Sequence, residues 1–176
     1  MPQATVQISI ATQEQRNNVL QVIMAAYIEY AKQSDPSFWP MYEKSIEKTV
    51  LSDQTITPII AEENGKILGA VLYCEPYEKP MGGDTMVINP YPEMRLLAVP
   101  PESRDRGIAN KLIQFCEQRA VAEGYPIMTL HTTVLMQTAK QMYERRGYKR
   151  YENIDFEPVS GFHVWGYQKD LSATAQ

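Results

Sequence analysis

Val6, Ile8 and Ile10 fall on one side of an alternating stretch, so Val6–Ala11 is predicted to be a strand. Thr12 and Gln15 stand at capping-box spacing, which marks a helix start. Leu20, Ile23, Met24, Tyr27 and Ala31 then recur at helical intervals, and Ser34-Asp35-Pro36 predicts that this helix ends near Gln33. A second helix is predicted over Met41–Leu51. Ile56–Glu62 and Lys66–Cys74 read as strands. Asn64-Gly65 joins them, because both residues accept the positive φ that a two-residue hairpin demands.

The pattern then breaks. Pro76, Pro80, Pro90 and Pro92 interrupt it, Gly82-Gly83 loosens it, and Thr85–Asn89 forms either a short strand or nothing stable. Two readings stand for this stretch: a surface connection, or one lip of a cleft carrying Tyr73, Tyr77 and Tyr91. Met94–Val99 is apolar apart from Arg95, as a central strand should be, and Pro100-Pro101 ends it. Ile108, Leu112, Phe115, Cys116, Arg119 and Ala120 set the period of a helix from about Arg106 to Glu123, stopped by Gly124. Ile127–Thr132 is a further strand. Thr138–Arg146 is a short helix with basic residues in its last turn and Gly147 as its stop. Tyr148–Phe156 and Phe162–Lys169 are expected to close the fold as an antiparallel pair, with the last seven residues a loose tail. There is no repeat and no linker composition, so one domain over 1–176, with its core in 5–170, is the simplest organisation.

Composition narrows the class without naming a function. Apolar residues make up 44% of the chain and charged residues 22%, which is ordinary for a globular protein. The formal net charge is -4, from 17 basic and 21 acidic side chains, and this argues against a nucleic-acid binder. Cys74 and Cys116 sit in apolar runs of different segments and read as buried free thiols, which makes a reducing compartment and a cytoplasmic setting the default. No basic-then-apolar leader opens the chain, and no apolar run is long enough to span a membrane. His131 and His163 lie far apart, so no metal is expected.

The most informative segment runs from Met94 to Ala109. A buried strand ends, a sharp loop follows, and arginines and a glycine open a helix. The first turn of a helix carries N–H groups without intrahelical partners and a partial positive charge, which suits an anion. Gly107 lets backbone approach a phosphate, Ala109 adds little bulk, and Arg104 and Arg106 supply charge-assisted donors. Their spacing leaves open whether both reach one ligand. Neither a dinucleotide-binding G-x-G-x-x-G nor a Walker A loop is present. The alternative reading is a helix start with solvated arginines.

This segment resembles the coenzyme A motif of the GCN5-related N-acetyltransferase (GNAT) superfamily, whose pattern is Arg/Gln-x-x-Gly-x-Gly/Ala. Arg104, Gly107 and Ala109 occupy its defining positions. A downstream run, Met136 to Tyr148, is similar to the family's asparagine-x-x-alanine-x-x-x-tyrosine-x-x-x-glycine-phenylalanine. It holds Ala139, Tyr143 and Gly147, with Met136 replacing the asparagine and Tyr148 the phenylalanine. The resemblance covers about nine-tenths of the chain. It implies an α/β fold with a mixed, mainly antiparallel central sheet flanked by helices. It also implies acetyl-CoA as cosubstrate. Its diphosphate would lie on the amides of Arg106, Gly107, Ile108, Ala109 and Asn110, and its pantetheine arm along Leu97, Ala98 and Val99. Ala139 and Tyr143 would line the arm's far end.

The same resemblance implies direct attack by an amine within a ternary complex. Tyr143 is then the general acid for the leaving thiolate, and the amide of Leu97 or Ala98 polarises the thioester carbonyl. An alkyl ammonium holds its proton at neutral pH, so a base is needed. Glu93 resembles the acidic residue that orders a water in family members, and His131 is the alternative. Phe38, Trp39 and Tyr42, with Tyr73, Tyr91, His131 and Trp165, are the candidate acceptor wall or else ordinary core. The acceptor is read as a small-molecule amine. A noncatalytic acyl-CoA sensor and a protein or peptide N-acetyltransferase remain the alternatives. A homodimer is compatible with the resemblance, since closing strands of this fold often pair between subunits.

Overall fold

The structure is a computed structural model and describes residues 5–81 and 85–174. Gly82-Gly83 and the last two residues of the expected tail lie outside the described residues. The elements in chain order are β1 (Gln7–Ile10), α1 (Arg16–Ala31), α2 (Phe38–Ser52), β2 (Ile56–Glu63), β3 (Lys66–Cys74), β4 (Tyr77–Pro80), β5 (Met86–Asn89) and β6 (Glu93–Ala98). They continue with α3 (Ile108–Ala122), β7 (Ile127–Thr133), α4 (Gln137–Arg145), β8 (Lys149–Arg150), β9 (Phe156–Val159) and β10 (Phe162–Asp170). The pairing is mainly antiparallel, with β6 and β7 parallel, and helices flank the strands, which is the fold class expected. Two compact units divide the chain. The first runs to Cys74 and resumes over Arg95–Cys116; the second takes in Glu75–Met94 and everything from Glu117 onward.

In the first unit β1, β2, β3 and β6 are neighbours in that order. The β2–β3 hairpin turns at Asn64 and Gly65, with φ of 51° and 78°, as the hairpin signal requires. Ile59, Ala70, Val71 and Leu72 on these strands are fully buried, together with Val19 and Ile23 of α1 and Val50 of α2. Arg16 is a buried exception. Its guanidinium donates to the carbonyls of Val50 at 2.7 Å, Ile56 at 3.0 Å and Asp53 at 3.3 Å, which ties the end of α2 to the start of β2. Val50 lies in the last turn of α2, Asp53 caps it and Ile56 opens β2, and one planar cation donates to all three carbonyls. Gly69 lets α3 lie close on β3: a Cβ there would come within 2.8 Å of Ile108 Cγ2 and 3.1 Å of Ala98 O.

In the second unit β6 begins the order β6-β7-β10-β8, with β9 also on β10. The parallel register is Glu93↔Thr129 and Met94↔Leu130. β4 and β5 form a separate antiparallel ribbon, Tyr77↔Asn89 to Pro80↔Met86, so the proline-broken stretch is structured on both sides of its glycines.

Most boundaries shift by a residue or more, and four departures from the sequence expectation have a visible cause. The second helix begins at Phe38 rather than Met41, because Pro40 falls in the first turn, where no intrahelical N–H is needed. The third begins at Ile108 rather than Arg106, because Asp105 and Gly107 are left-handed, with φ of 60° and 72°. Tyr148–Phe156 is broken into β8, a 3-10 turn at Glu152–Ile154, and β9. The break lies over Gly166, whose N–H donates to Asp155 Oδ1 at 2.7 Å and whose carbonyl accepts from Tyr151 N–H at 2.8 Å. A Cβ at Gly166 would collide with Ile154 and the Tyr151 carbonyl, so the turn packs directly on backbone. The tail is not loose at its start: Leu171 is 1% exposed and its N–H reaches Pro126 O at 2.8 Å.

Candidate active site

The anion turn belongs to the first unit. Pro100 and Pro101 stop β6, and a 3-10 turn over Pro101–Ser103 is closed by Ser103 N–H on Pro100 O at 2.9 Å. The left-handed Asp105 and Gly107 then swing the chain into α3. Lys111 N–H reaches Gly107 O at 3.1 Å, a bond of the first turn, and Ile108 and Ala109 open the helix, where backbone N–H groups have no intrahelical acceptor. An added Cβ at Gly107 would meet nothing within 4 Å, which leaves room beside this backbone for a phosphate. These features fit a diphosphate.

The two arginines are both engaged within this unit. Arg104 Nε donates to Val99 O at 3.0 Å and its Nη2 lies 2.7 Å from Glu29 Oε1. Arg106 Nη2 lies 2.8 Å from Glu63 Oε1. Glu29 and Glu63 carry no motif signal of their own, because their partners are distant in sequence. Leu96, in the body of β6, has φ 50°. A bulky residue in that region is strained, and such strain clusters at functional sites. Leu97 and Val99 are half-buried and Ala98 is buried.

Aromatic residues gather at the helical end of this unit. Phe38 stacks on Tyr42 at 5.5 Å, Trp39 meets Tyr42 edge-on at 6.0 Å, and Tyr27 lies 5.3 Å from Tyr30 and 6.4 Å from Tyr42. Burial pushes the Tyr42 phenol far up, and Tyr30 adds to it. Burial also raises the Tyr30 phenol, with Glu29 raising it further and Arg104 pulling it down. Tyr73 is fully buried in β3, opposite Thr57.

The second unit holds the titratable network. Glu93 is 0% exposed. Its Oε2 accepts from Tyr77 Oη at 2.7 Å and Asn89 Nδ2 at 3.3 Å, and lies 3.1 Å from His131 Nδ1. Asn89 also donates to Thr129 Oγ1 at 2.7 Å, which in turn donates to Pro92 O at 2.9 Å. The parallel register sets Glu93 beside Thr129, and period-two alternation places His131 on the same face as Thr129. His131 Nε2 meets Ile154 O at 2.7 Å, and its ring stands edge-on to Phe156 at 5.2 Å. The sequence reading placed Tyr77 on a possible cleft lip but not beside Glu93, and Asn89 escaped it as a site residue.

Tyr143 is 7% exposed on α4 and packs edge-on against Tyr148 at 5.8 Å, one turn beyond the half-buried Ala139. Trp165 stacks on His163 at 6.5 Å, and Tyr91 lies 6.5 Å from Tyr151. Glu117, 2% exposed, accepts from Tyr148 Oη at 3.0 Å and pairs with Arg146 at 3.2 Å and Lys169 at 3.0 Å. Among the described residues no group of three or more side chains could hold a metal ion, and no helix is long and apolar enough to cross a membrane.

Comparison with known proteins places this geometry in a family. A profile of the Acetyltransferase (GNAT) family matches residues 20–148, which is most of the chain. The chain belongs to the GNAT acetyltransferase family. It is 31% identical over 91 residues to a probable N-acetyltransferase family 8 member 5 of Mus musculus, covering 52% of this chain and 37% of that protein. The chain therefore matches well under half the length of that relative. Among solved structures it resembles a putative GNAT-family acetyltransferase from Desulfovibrio desulfuricans, with TM-score 0.67, 13% identity, and coverage of 96% of this chain and 100% of that one. It also resembles the PaiA N-acetyltransferase from Thermoplasma acidophilum in complex with coenzyme A, with TM-score 0.67, 14% identity, and coverage of 94% and 99%. At these identities the structural likeness concerns the fold.

Proposed function

We propose that this chain is a single-domain enzyme that transfers an acetyl group from acetyl-CoA to the amine of a small molecule by direct attack in a ternary complex. The observation that carries the reading is the turn over Arg104–Asn110. There two left-handed residues, an open Gly107 and the first amides of α3 at Ile108 and Ala109 support a diphosphate cradle. Acetyl-CoA is the cosubstrate. The amides from Arg106 through Asn110 hold its diphosphate, and Arg104 adds charge by exchanging Glu29 for phosphate oxygens. Leu97, Ala98 and Val99 run beside the pantetheine arm, whose far end meets Ala139 and Tyr143. The left-handed Leu96 supports this role, since it interrupts the regular strand just before Leu97 and frees an amide direction for the thioester oxygen.

Tyr143 gives its phenolic proton to the departing thiolate. Glu93 is the terminal acceptor of the amine's proton. Because it is wholly buried, it takes that proton through a hydrogen-bonded partner rather than by touching the amine. Phe38, Trp39, Tyr42, Tyr73, Tyr91, His131 and Trp165 are the residues proposed to meet the acceptor's carbon frame. The mildly acidic net charge of -4 suits a cationic amine, and two buried thiols suit a reducing, cytoplasmic setting.

The test is a thiol-release screen of diverse amines with acetyl-CoA. Release that requires an acceptor, falls about 10²-fold in Tyr143→Phe and is weakened in Arg104→Ala is the expected result. Acetyl-CoA binding without acceptor-dependent release across the panel would make the chain a sensor instead.

A further inference from the structure

The contacts of His131 fix how many protons it shares with Glu93. A carbonyl oxygen only accepts, so the 2.7 Å contact with Ile154 O requires a hydrogen on Nε2. Nδ1 then faces Glu93 Oε2 at 3.1 Å. Were Nδ1 bare and Glu93 ionised, two lone pairs would meet there with nothing between them. A hydrogen bond at that distance needs one proton on the line, held either by an imidazolium or by a carboxylic acid. Both arrangements contain the same number of protons. Donation to Oε2 from Tyr77 and Asn89 suits the carboxylate form. A hydrogen bond between the two therefore requires the pair to carry one proton, and His131 then has no lone pair with which to act as a base by itself.

We infer that Tyr77, Glu93 and His131 form one acid–base unit, in which Tyr77 is the catalytic residue that passes the acceptor's proton inward and His131 is the positioning residue that sets the charge of Glu93. This deepens, and rests on, the acetyl-transfer reading. Asn89 is 1% exposed and both nitrogens of His131 are engaged, whereas Tyr77 is only half-buried. In the step, the ammonium proton moves to the Tyr77 oxygen as the Tyr77 O–H proton moves to Glu93 Oε2. The amine gains its lone pair and the pair gains one proton, which it later returns to solvent. The pair must first have lost its resting proton, so turnover rises with pH as it unloads. Charged groups near the unit among the described residues include Lys79, 4.8 Å over the Tyr77 ring, and Asp155 beside the Ile154 turn, held by Arg150 at 2.6 Å.

Two readouts on the intact chain test this. Imidazole nitrogen NMR on histidine-labelled protein should show Nε2 protonated wherever the fold persists. Nδ1 should lose its proton in one step shared with the Glu93 carboxyl carbon. A bare Nε2 with the proton on Nδ1 overturns the inference, whether or not any acceptor is known. With an acceptor in hand, the acidic limb of the kcat/KM profile should move in His131→Asn, while coenzyme A affinity stays within about twofold and Tyr77→Phe loses about 10²-fold in kcat. An unmoved limb sinks the inference and leaves acetyl transfer standing. No turnover with any amine sinks the acetyl-transfer reading, and the NMR result still decides the proton count.

Discussion

Arg104 is held between two partners of its own unit: its Nη2 lies 2.7 Å from Glu29 Oε1, and its Nε donates to Val99 O at 3.0 Å. The carboxylate therefore competes with any diphosphate for the guanidinium. Both side chains are more than 40% exposed, at 41% and 43%, so the ion pair is screened and modest. Glu29→Gln is expected to tighten coenzyme A binding by about 2- to 5-fold, as calorimetric titration would measure. The gain should vanish in an Arg104→Ala background, because the effect runs through that guanidinium.

Gly107 gives a sharper prediction. Its φ of 72° is strained for a β-branched residue, and a Cβ there would occupy the open space proposed for a phosphate. Gly107→Val should weaken coenzyme A binding by at least about 10-fold, with a much smaller effect on folding. Titration and a circular dichroism melt, run side by side, separate the two effects.

The turn that carries the proposed cradle was legible because it is local. Arg104, Gly107 and Ala109 lie within six consecutive residues, between a strand and a helix whose apolar periods are both clear. The Lys66–Cys74 strand and the Asn64-Gly65 turn were legible for the same reason. Glu93 was also marked, but its setting was not. Its partners Tyr77, Asn89 and His131 come from three other strands, and the register that assembles them carries no local pattern. Arg16 and Glu117 were missed as buried charges because composition gives charged residues a surface prior. The broken strand over Tyr148–Phe156 was misread because the reason for the break, Gly166, sits ten residues further on, on the neighbouring strand.

Acid stability should carry the signature of Asp155. Burial works against its ionised form, but hydrogen bonds from Arg150 and the Gly166 N–H, with the Arg150 charge, outweigh it and hold the carboxyl below its ordinary value. A depressed carboxyl contributes stability above its unfolded value, near pH 4, and loses it as pH falls through the folded one. Asp155→Asn should therefore lower the Tm at neutral pH, and the gap to the parent should close below about pH 4. Partial exposure of both partners keeps the effect to a few degrees. Thermal melts across pH 2–7 measure it.

Glu117 links α3, α4 and β10 within the second unit, accepting from Tyr148 and balancing Arg146 and Lys169. Removing it leaves two cations facing each other, though water can still reach both. Glu117→Ala should cost about 2–3 kcal/mol in urea unfolding. Adding Lys169→Met should recover part of that loss, because one of the stranded charges goes with it.

The measurement that bears most directly on the whole account is a calorimetric comparison of coenzyme A with pantetheine, which lacks the diphosphate, on the parent and on Arg104→Ala. The account predicts saturable binding of coenzyme A, much weaker binding of pantetheine, and a loss in the variant confined to coenzyme A. Absence of binding by the parent, or equal affinities for the two compounds, would contradict it.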